Sequence, residues 1–285
     1  MFKKKQCSPI SLKQKSCLPR DLLKKVGNII NKLPQCSKID CNCEPDTLYK
    51  KICCEIKKIS DCKDEKCWET IDRIMSKLSK FEVDQFKSSF KPQMPQEWKN
   101  EPNKWLNTLD IDAVMEQYEQ AFSTFKYFGA TPIDFKKKQN NSCLVSDLCN
   151  INLKRLLDRD YESIGMVFNT DDSSGSGQHW FSMYVDLKGK NLKKPSIYYF
   201  DSVANEAPDE IIELVQKLQK QSEHIKHPLD VLYSDIQHQH GDTECGIYCL
   251  HFLTEMLQGK SFKRYINHKK SDDEMEIFRK VFFNE

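Results

Sequence analysis

The sequence predicts an α+β protein in which helices flank a central mixed β-sheet, preceded by a separate helical domain. From Tyr161 onward, short runs of β-branched and aromatic residues alternate with helical patterns, which is typical of a mixed sheet with helices. The first 95 residues instead carry apolar side chains at helical spacing, and a stretch rich in proline and polar residues follows at 90–103. We therefore predict a helical, cysteine-rich arm domain at 1–95 and a core domain at 96–285.

The length and charge of the chain fit a globular protein without a strongly charged surface. Its 285 residues can bury a large core, and 44 Lys and Arg against 42 Asp and Glu give a net charge of +2. Because the charges nearly balance, we expect no nucleic-acid partner. We also expect no cofactor. The longest apolar run, at 245–250, is too short to span a membrane, and no apolar segment follows the first lysines, so we expect neither membrane insertion nor a signal peptide.

The arm domain is predicted to contain helices at about 18–33, 46–59 and 68–78. Nine of the 13 cysteines lie there, at positions 7, 17, 36, 41, 43, 53, 54, 62 and 67. They are open to three interpretations: reduced thiols, one or two disulfides, or a zinc site. We favour reduced thiols, because no secretion signal precedes them and no histidine lies among them. The arm domain is expected to hold substrate, a partner or the core.

Elements of the core domain follow in order. A helix is predicted at 113–122, a short strand from Phe125, and further strands at 164–168, 180–187, 197–200 and 231–236. Helices are predicted at 208–218, from Cys245, and at 271–283. Trp105, just before this region, is either a core residue or part of a substrate groove.

Three side chains in the core domain could form a nucleophilic site. Cys245 falls in the first turn of a helix that Asp242 or Thr243 could cap, and backbone N–H groups at that end favour a thiolate. His179 begins a strand after a glycine-rich loop, and Asp201 ends another strand. A thiol, an imidazole and a carboxylate are a nucleophile, its base and the group that orients the base. The side-chain amide of Gln239 and the Cys245 N–H could stabilise an oxyanion.

A metal site is the competing interpretation of the same stretch. His238, His240, Asp242 and Glu244 are dense in ligand atoms, and with His179 they could hold zinc. However, the turn expected at Gly241 places them on different faces, so we predict no metal. Cys249, one turn after Cys245, is predicted to be a core residue.

The spacing of the candidate site residues along the chain resembles the spacing found in a known clan of proteins. His179-Trp180, then Phe200-Asp201-Ser202, then Gln239 six residues before Cys245-Gly246, is similar to the ubiquitin-like-protein proteases, which include SUMO-specific proteases and adenain. Further segments resemble one branch, the polyprotein-processing cysteine proteases of large cytoplasmic DNA viruses such as African swine fever virus. These segments are 7–9, 16–18, 105–118, 129–135, 177–180, 238–246, 261–262, 272–275 and 278–279. The African swine fever enzyme carries Asn where this chain has Asp201, and SUMO proteases carry Asp where it has Glu244.

The resemblance implies a viral thiol endopeptidase with an adenain-like core. It implies that His179 is the general base, Asp201 its orienting group, Cys245 the nucleophile and Gln239 the oxyanion donor. It further implies that Trp180 walls a narrow tunnel and Trp105 contacts substrate, so that cleavage follows Gly-Gly in core polyproteins.

The same resemblance implies a late protein that acts during virion maturation, in the viral factory of the host cytoplasm and in the virion. The alternatives are a SUMO or ubiquitin-like-protein isopeptidase and a non-catalytic virion scaffold.

Overall fold

A computed structural model describes residues 6–9, 15–139 and 142–284 of the chain. These residues form two compact units. The first contains the described residues up to Met94 together with those from Val281 onward, and the second is Pro95–Lys280. The division into an arm and a core domain at 95/96 stays a prediction, and the units differ from it in assigning the last residues to the first unit.

The first unit is helical. Its helices are α1 (Arg20–Ile30), α2 (Pro45–Ile56), α3 (Asp72–Met75) and α4 (Lys80–Ser88), with a 3-10 turn at Lys66–Thr70. The helix predicted at 68–78 is therefore not continuous, because Ile71 adopts an extended conformation with φ −92° and ψ 93°. α4 begins with a reciprocal capping box between Ser79 and Glu82.

Disulfides overturn our preference for reduced thiols at four of the nine arm cysteines. Cys7 pairs with Cys17 and Cys62 with Cys67, at Cα–Cα separations of 4.9 and 5.5 Å. Both separations lie in the range that a disulfide requires, and proximity of this kind cannot be read from spacing alone. A third disulfide, Cys143–Cys149, lies in the second unit.

The second unit is built on a five-stranded mixed sheet. Its strands are β1 (Phe125–Pro132), β4 (Ser163–Asn169), β5 (Trp180–Asp186), β6 (Ser196–Phe200) and β7 (Asp230–Tyr233), in the order β1-β4-β5-β6-β7. The two outer pairs are parallel and the two inner pairs antiparallel. β2 (Lys138–Gln139) and β3 (Ser142–Cys143) form a separate antiparallel pair. The predicted α+β fold with a mixed sheet is confirmed.

Helices cover the sheet. They are α5 (Thr108–Ala121), α6 (Ser146–Cys149), α7 (Leu153–Leu157), α8 (Asp209–His224), α9 (Cys245–Leu257), α10 (Phe262–Asn267) and α11 (Asp272–Phe282). α9 is buried along nearly its whole length and packs on β5, which explains why its sequence is apolar all round.

Two segments ahead of the sheet differ from the sequence prediction. α5 begins five residues earlier than predicted, because Asn107 and Asp110 form a capping box there. The stretch at 90–103, predicted to be a linker, contains a 3-10 turn at Gln96–Lys99 and buries Trp98. No helix in the described part of the chain is long and apolar enough to cross a membrane.

Candidate active site

Cys245 is the first residue of α9, and only 2% of its surface is exposed. The predicted caps at Asp242 and Thr243 are wrong, because the N-cap residue is Glu244 and no side chain caps this helix end. The first backbone N–H groups of α9 are therefore not occupied by a capping side chain. These N–H groups lie at the end of the helix that carries Cys245, where the helix dipole is positive.

His179 and Asp201 are brought together by neighbouring strands. β5 begins directly after His179 and β6 ends directly before Asp201, and the two strands are antiparallel with Ser182 opposite Phe200. The imidazole Nε2 lies 2.9 Å from Asp201 Oδ1. The backbone N–H of Val203 donates to the same carboxylate oxygen at 2.8 Å, so the carboxylate is itself held in place. Because Nε2 of His179 faces Asp201, Nδ1 is the imidazole nitrogen that remains for the thiol of Cys245.

The surroundings of His179 favour its charged form. Burial has the largest single effect and opposes the imidazolium. Hydrogen bonds and charge attraction from Asp201 and Cys245 together outweigh burial and raise the pKa of His179 to about 9. The imidazolium is therefore the main form at neutral pH, as a thiolate–imidazolium pair requires.

The loop before His179 is held by hydrogen bonds to its own backbone. Asn169 Oδ1 accepts from the N–H groups of Asp171 and Gln178, at 2.9 and 3.0 Å, and Asp171 Oδ2 accepts from Gly177 N. Gly177 has φ +89°, a conformation that favours glycine. The loop aspartate is thus a turn residue, and the loop delivers the imidazole at a fixed position.

Gln239 is tied to the residue after Asp201. Ser202 Oγ donates to Gln239 Oε1 at 2.7 Å, and the Ser202 carbonyl accepts from the backbone N–H groups of both His238 and Gln239 at 2.8 Å. Gln239 Nε2 donates one hydrogen to Gly241 O at 2.9 Å. Since an amide nitrogen carries two hydrogens, the second remains for an oxyanion. The role of Ser202 as the group that orients this amide was missed in the sequence.

Trp180 and Leu106 form a buried wall next to Gly246, the residue after Cys245. The indole Nε1 of Trp180 donates to the carbonyl of Leu106 at 2.9 Å. A Cβ added at Gly246 would lie 3.0 Å from Leu106 Cβ, so a larger residue next to Cys245 would crowd Leu106.

Trp105 is not a core residue: 39% of it is exposed. It lines a surface pocket with a volume of about 590 Å³. The other lining residues are Glu101, Pro102, Asn103, Lys104 and Thr243. Thr243 is two positions before Cys245 in the chain, but Cys245 itself does not line the pocket, and the predicted contact of Trp105 with substrate stays a prediction.

Two residues of the competing metal interpretation, His238 and Glu244, have other partners. His238 is buried and its Nε2 contacts Ile266 O at 3.0 Å, whereas His240 is exposed. The carboxylate of Glu244 is bound by Arg279 at 2.6 Å. Across residues 6–9, 15–139 and 142–284, no group of three or more His, Cys, Asp and Glu side chains is placed to hold a metal ion. The pairing of Glu244 with Arg279 had no signal in the sequence, because the two residues are 35 positions apart.

Comparison with protein families identifies the chain. Residues 132–281 match the family model described as "YopJ Serine/Threonine acetyltransferase", which is a little over half of the 285 residues and includes His179, Asp201, Gln239 and Cys245. The chain belongs to this family.

Relatives of the chain are viral and are named as proteases. It is 32% identical over 184 residues to the putative thiol protease of Acanthamoeba polyphaga mimivirus, a match that spans 63% of this chain and 57% of the relative. It is 29% identical over 186 residues to the SUMO-1 cysteine protease of African swine fever virus (isolate Pig/Kenya/KEN-50/1950), spanning 62% of this chain and 67% of the relative. The alignment with the mimivirus protein thus covers less than two thirds of that protein.

Solved structures agree on the fold. The crystal structure of the African swine fever virus protease superposes with a TM-score of 0.73 at 20% identity, covering all of this chain and 97% of the other. A selenomethionine form of that protease gives a TM-score of 0.69. The resemblance to viral cysteine proteases of the SUMO-protease clan is confirmed.

Proposed function

We propose that this protein is a cysteine endopeptidase in which Cys245 is the nucleophile, His179 the general acid–base and Asp201 the group that orients His179. The observation that carries the proposal is the hydrogen bond of 2.9 Å between His179 Nε2 and Asp201, on an imidazole whose charge Cys245 also stabilises. A nucleophile that contacts a base, which in turn contacts an orienting carboxylate, is the arrangement found in covalent acyl-transfer sites.

Acylation uses the ion pair directly. The Cys245 thiolate attacks the scissile carbonyl carbon, and the carbonyl oxygen becomes an oxyanion held by the free N–H of Gln239 Nε2 and by the Cys245 backbone N–H. His179 then donates its Nδ1 proton to the leaving amine as the carbon–nitrogen bond breaks. A thioester joins the acyl half of the substrate to Cys245.

Deacylation regenerates the site. His179, now neutral, takes a proton from a water molecule whose oxygen attacks the thioester carbonyl. The carbon–sulfur bond breaks and restores the thiolate, His179 keeps the proton from water as the imidazolium, and the carboxylic acid product loses its remaining proton to solvent as it leaves. Asp201 keeps its hydrogen bond to Nε2 throughout and thereby fixes which nitrogen exchanges the proton.

The substrates that we propose are core polyproteins cleaved after Gly-Gly. Trp180, Leu106 and Gly246 pack closely beside the thiol, which favours substrates that present glycine rather than a larger side chain there. The mimivirus and African swine fever virus relatives carry the names of a thiol protease and a SUMO-1 cysteine protease. A viral maturation protease of the viral factory and virion fits these names, with the first unit holding substrate or core.

Two other acyl transfers would use the same site. The name SUMO-1 cysteine protease favours removal of a ubiquitin-like protein from a lysine side chain, which would replace the linear peptide by an isopeptide. The family model's description favours transfer of an acetyl group, in which a serine or threonine hydroxyl rather than water resolves the thioester. The isopeptidase differs from the proposed reaction only in the amine that leaves. The acetyltransferase differs in the acyl donor, from which the thiol of coenzyme A leaves, and in the hydroxyl that attacks the thioester.

The test compares wild type, Cys245→Ala and Cys249→Ala on a fluorogenic Gly-Gly-Xaa peptide, with and without EDTA. We expect activity in wild type and Cys249→Ala, none in Cys245→Ala, and no effect of EDTA. Cys249 is the matched control, since it is a buried thiol one turn further along α9. Activity in Cys245→Ala that EDTA abolishes would contradict the proposal.

Two parallel reactions separate the alternatives. A SUMO-linked lysine conjugate cleaved faster than the linear peptide would favour the isopeptidase. Radiolabelled acetyl-coenzyme A that acetylates a serine-containing peptide in a Cys245-dependent manner, without peptide cleavage, would favour the acetyltransferase.

A further inference from the structure

Arg279 is a buried cation that the acyl-transfer chemistry does not use. It lies on α11, its side chain is only 4% exposed, and its guanidinium faces the loop that precedes Cys245. Nε donates to both carboxylate oxygens of Glu244, at 3.0 and 2.9 Å, and Nη2 donates to Glu244 Oε1 at 2.6 Å. This contact fixes the residue directly before the nucleophile.

Arg279 also donates to backbone carbonyls, one of them in a second segment of the chain. Nη1 donates to the carbonyl of Lys104 at 2.8 Å, and Nη2 donates to the carbonyl of Thr243 at 3.1 Å. One face of the guanidinium covers the Trp98 ring, with 4.4 Å between Cζ and the ring centroid. A single side chain therefore joins the backbone at 103–104 to the backbone at 243–244.

The two joined segments lead to two parts of the site, which are the substrate wall at Leu106 and Trp180 and the thiol of Cys245. Lys104 is followed by Trp105, which lines the surface pocket, and by Leu106, which accepts the hydrogen bond of Trp180. Glu244 is followed by Cys245, whose thiol and N–H perform the reaction. A shift between the segments would move the substrate wall relative to the thiolate without altering the contact between His179 and Asp201.

The chemistry of the Arg279–Glu244 ion pair suits a role in positioning backbone segments better than a role in stabilising the fold. A buried ion pair often adds little to stability, because burial of both charges offsets their attraction. A planar guanidinium with five N–H donors, in contrast, holds several acceptors at fixed relative positions, which a lysine ammonium cannot reproduce. The Glu244 carboxylate makes no capping bond to α9, so its contact with Arg279 is its main structural role.

We propose that Arg279, through Glu244 and the carbonyls of Lys104 and Thr243, is a positioning residue that aligns the substrate wall with Cys245. Arg279 fixes the position of the substrate wall relative to Cys245, so that the carbonyl of a bound substrate meets both the thiolate and the Cys245 N–H. This role rests on the proposed acyl transfer at Cys245.

The experiment measures two reactions of Cys245 in wild type and Arg279→Lys. One is its rate of labelling by a Gly-Gly vinyl sulfone, which requires the substrate wall. The other is its rate of alkylation by iodoacetamide from pH 5 to 9, which requires only the thiolate. Misplacement of reacting groups by about 1 Å can cost about 100-fold in rate, so we expect the ratio of the two rates to fall by about 10- to 100-fold. The iodoacetamide pH profile should not move.

The matched control is Lys260→Met. It removes the ion pair with Glu255 near the other end of α9, so it perturbs the same helix far from the thiol. We expect the wild-type ratio in this variant. A wild-type ratio in folded Arg279→Lys, or an equal fall in Lys260→Met, would overturn the inference.

A second variant decides the question if Arg279→Lys does not fold. Glu244→Asp keeps the charge but draws the carboxylate back by one methylene, and we expect the same fall in the ratio; an unchanged ratio would overturn the inference.

Peptide hydrolysis is measured separately. Labelling of wild type by the vinyl sulfone without hydrolysis of the Gly-Gly-Xaa peptide would contradict the proposed endopeptidase while still deciding the role of Arg279.

Discussion

Replacing Asp201 by asparagine tests the electrostatics of the site most directly. The substitution keeps the size of the side chain and an oxygen that can accept from His179 Nε2, but it removes the negative charge that stabilises the imidazolium. We expect Asp201→Asn to lower kcat/KM at pH 7.5 because less of the enzyme carries the thiolate–imidazolium pair.

The structure sets the size of this effect. The rise in the pKa of His179 from 6.5 to about 9 corresponds to about 3 kcal/mol in favour of the imidazolium. Burial opposes this rise, and among the favourable contributions the hydrogen bond to Asp201 is the largest. If Asp201 supplies about half or more of the net effect, its loss costs about 1.5–3 kcal/mol of imidazolium stability, which lowers the imidazolium fraction at pH 7.5, and with it kcat/KM, by about 1.5- to 6-fold.

The assay is the pH profile of kcat/KM on the Gly-Gly-Xaa peptide. In wild type the alkaline limb should lie near pH 9, and in Asp201→Asn it should move down toward or below pH 6.5, since burial still opposes the imidazolium. Asp186→Asn, at a buried aspartate at the other end of β5, is the matched control and should keep the wild-type limb. An unmoved alkaline limb in folded Asp201→Asn would refute the reasoning.

Stability should follow the same titration. Because the folded-state pKa of His179 is raised, its contribution to stability is fully present below pH 6.5 and is lost as pH rises through about 9. Denaturant unfolding of wild type should therefore show a decline of up to about 3 kcal/mol over this range that Asp201→Asn lacks. An equal decline in both proteins would assign the loss to other groups.

Three further substitutions probe the oxyanion donor, the wall and the sheet. Gln239→Ala should lower kcat by about 10²- to 10³-fold with little change in KM, because it removes an oxyanion donor. Steady-state kinetics, normalised to the titrated thiol, measure both constants. A rise in KM with an unchanged kcat would contradict the role of Gln239 as an oxyanion donor. Gly246→Ala should lower kcat/KM by about tenfold or more, because the new methyl group lies 3.0 Å from Leu106 Cβ, whereas iodoacetamide should still alkylate the thiol. Gly165→Ala should destabilise the protein by about 1–3 kcal/mol in denaturant melts, because its Cβ would lie 2.6 Å from the Phe125 ring, while kcat of the folded protein stays at the wild-type value.

Periodicity located the main elements of the fold but not their ends. The apolar runs at 164–168 and 180–187 became β4 and β5, since alternating and continuous apolar patterns report burial directly. The helix predicted at 68–78 failed at Ile71, where an extended backbone interrupts an otherwise helical pattern. Helix ends depend on local capping contacts that compete closely, as the earlier start of α5 at Thr108 shows.

By itself the sequence determined the α+β class and the order His179, Asp201, Cys245, because residue type and periodicity are properties of the chain alone. Only the tertiary structure decided which residues support them: the hold of Ser202 on Gln239, the hydrogen bond of Trp180 to Leu106, and the pairing of Arg279 with Glu244. These contacts join residues that lie tens of positions apart, and their energies depend on burial and distance. Neither quantity exists until the chain has folded.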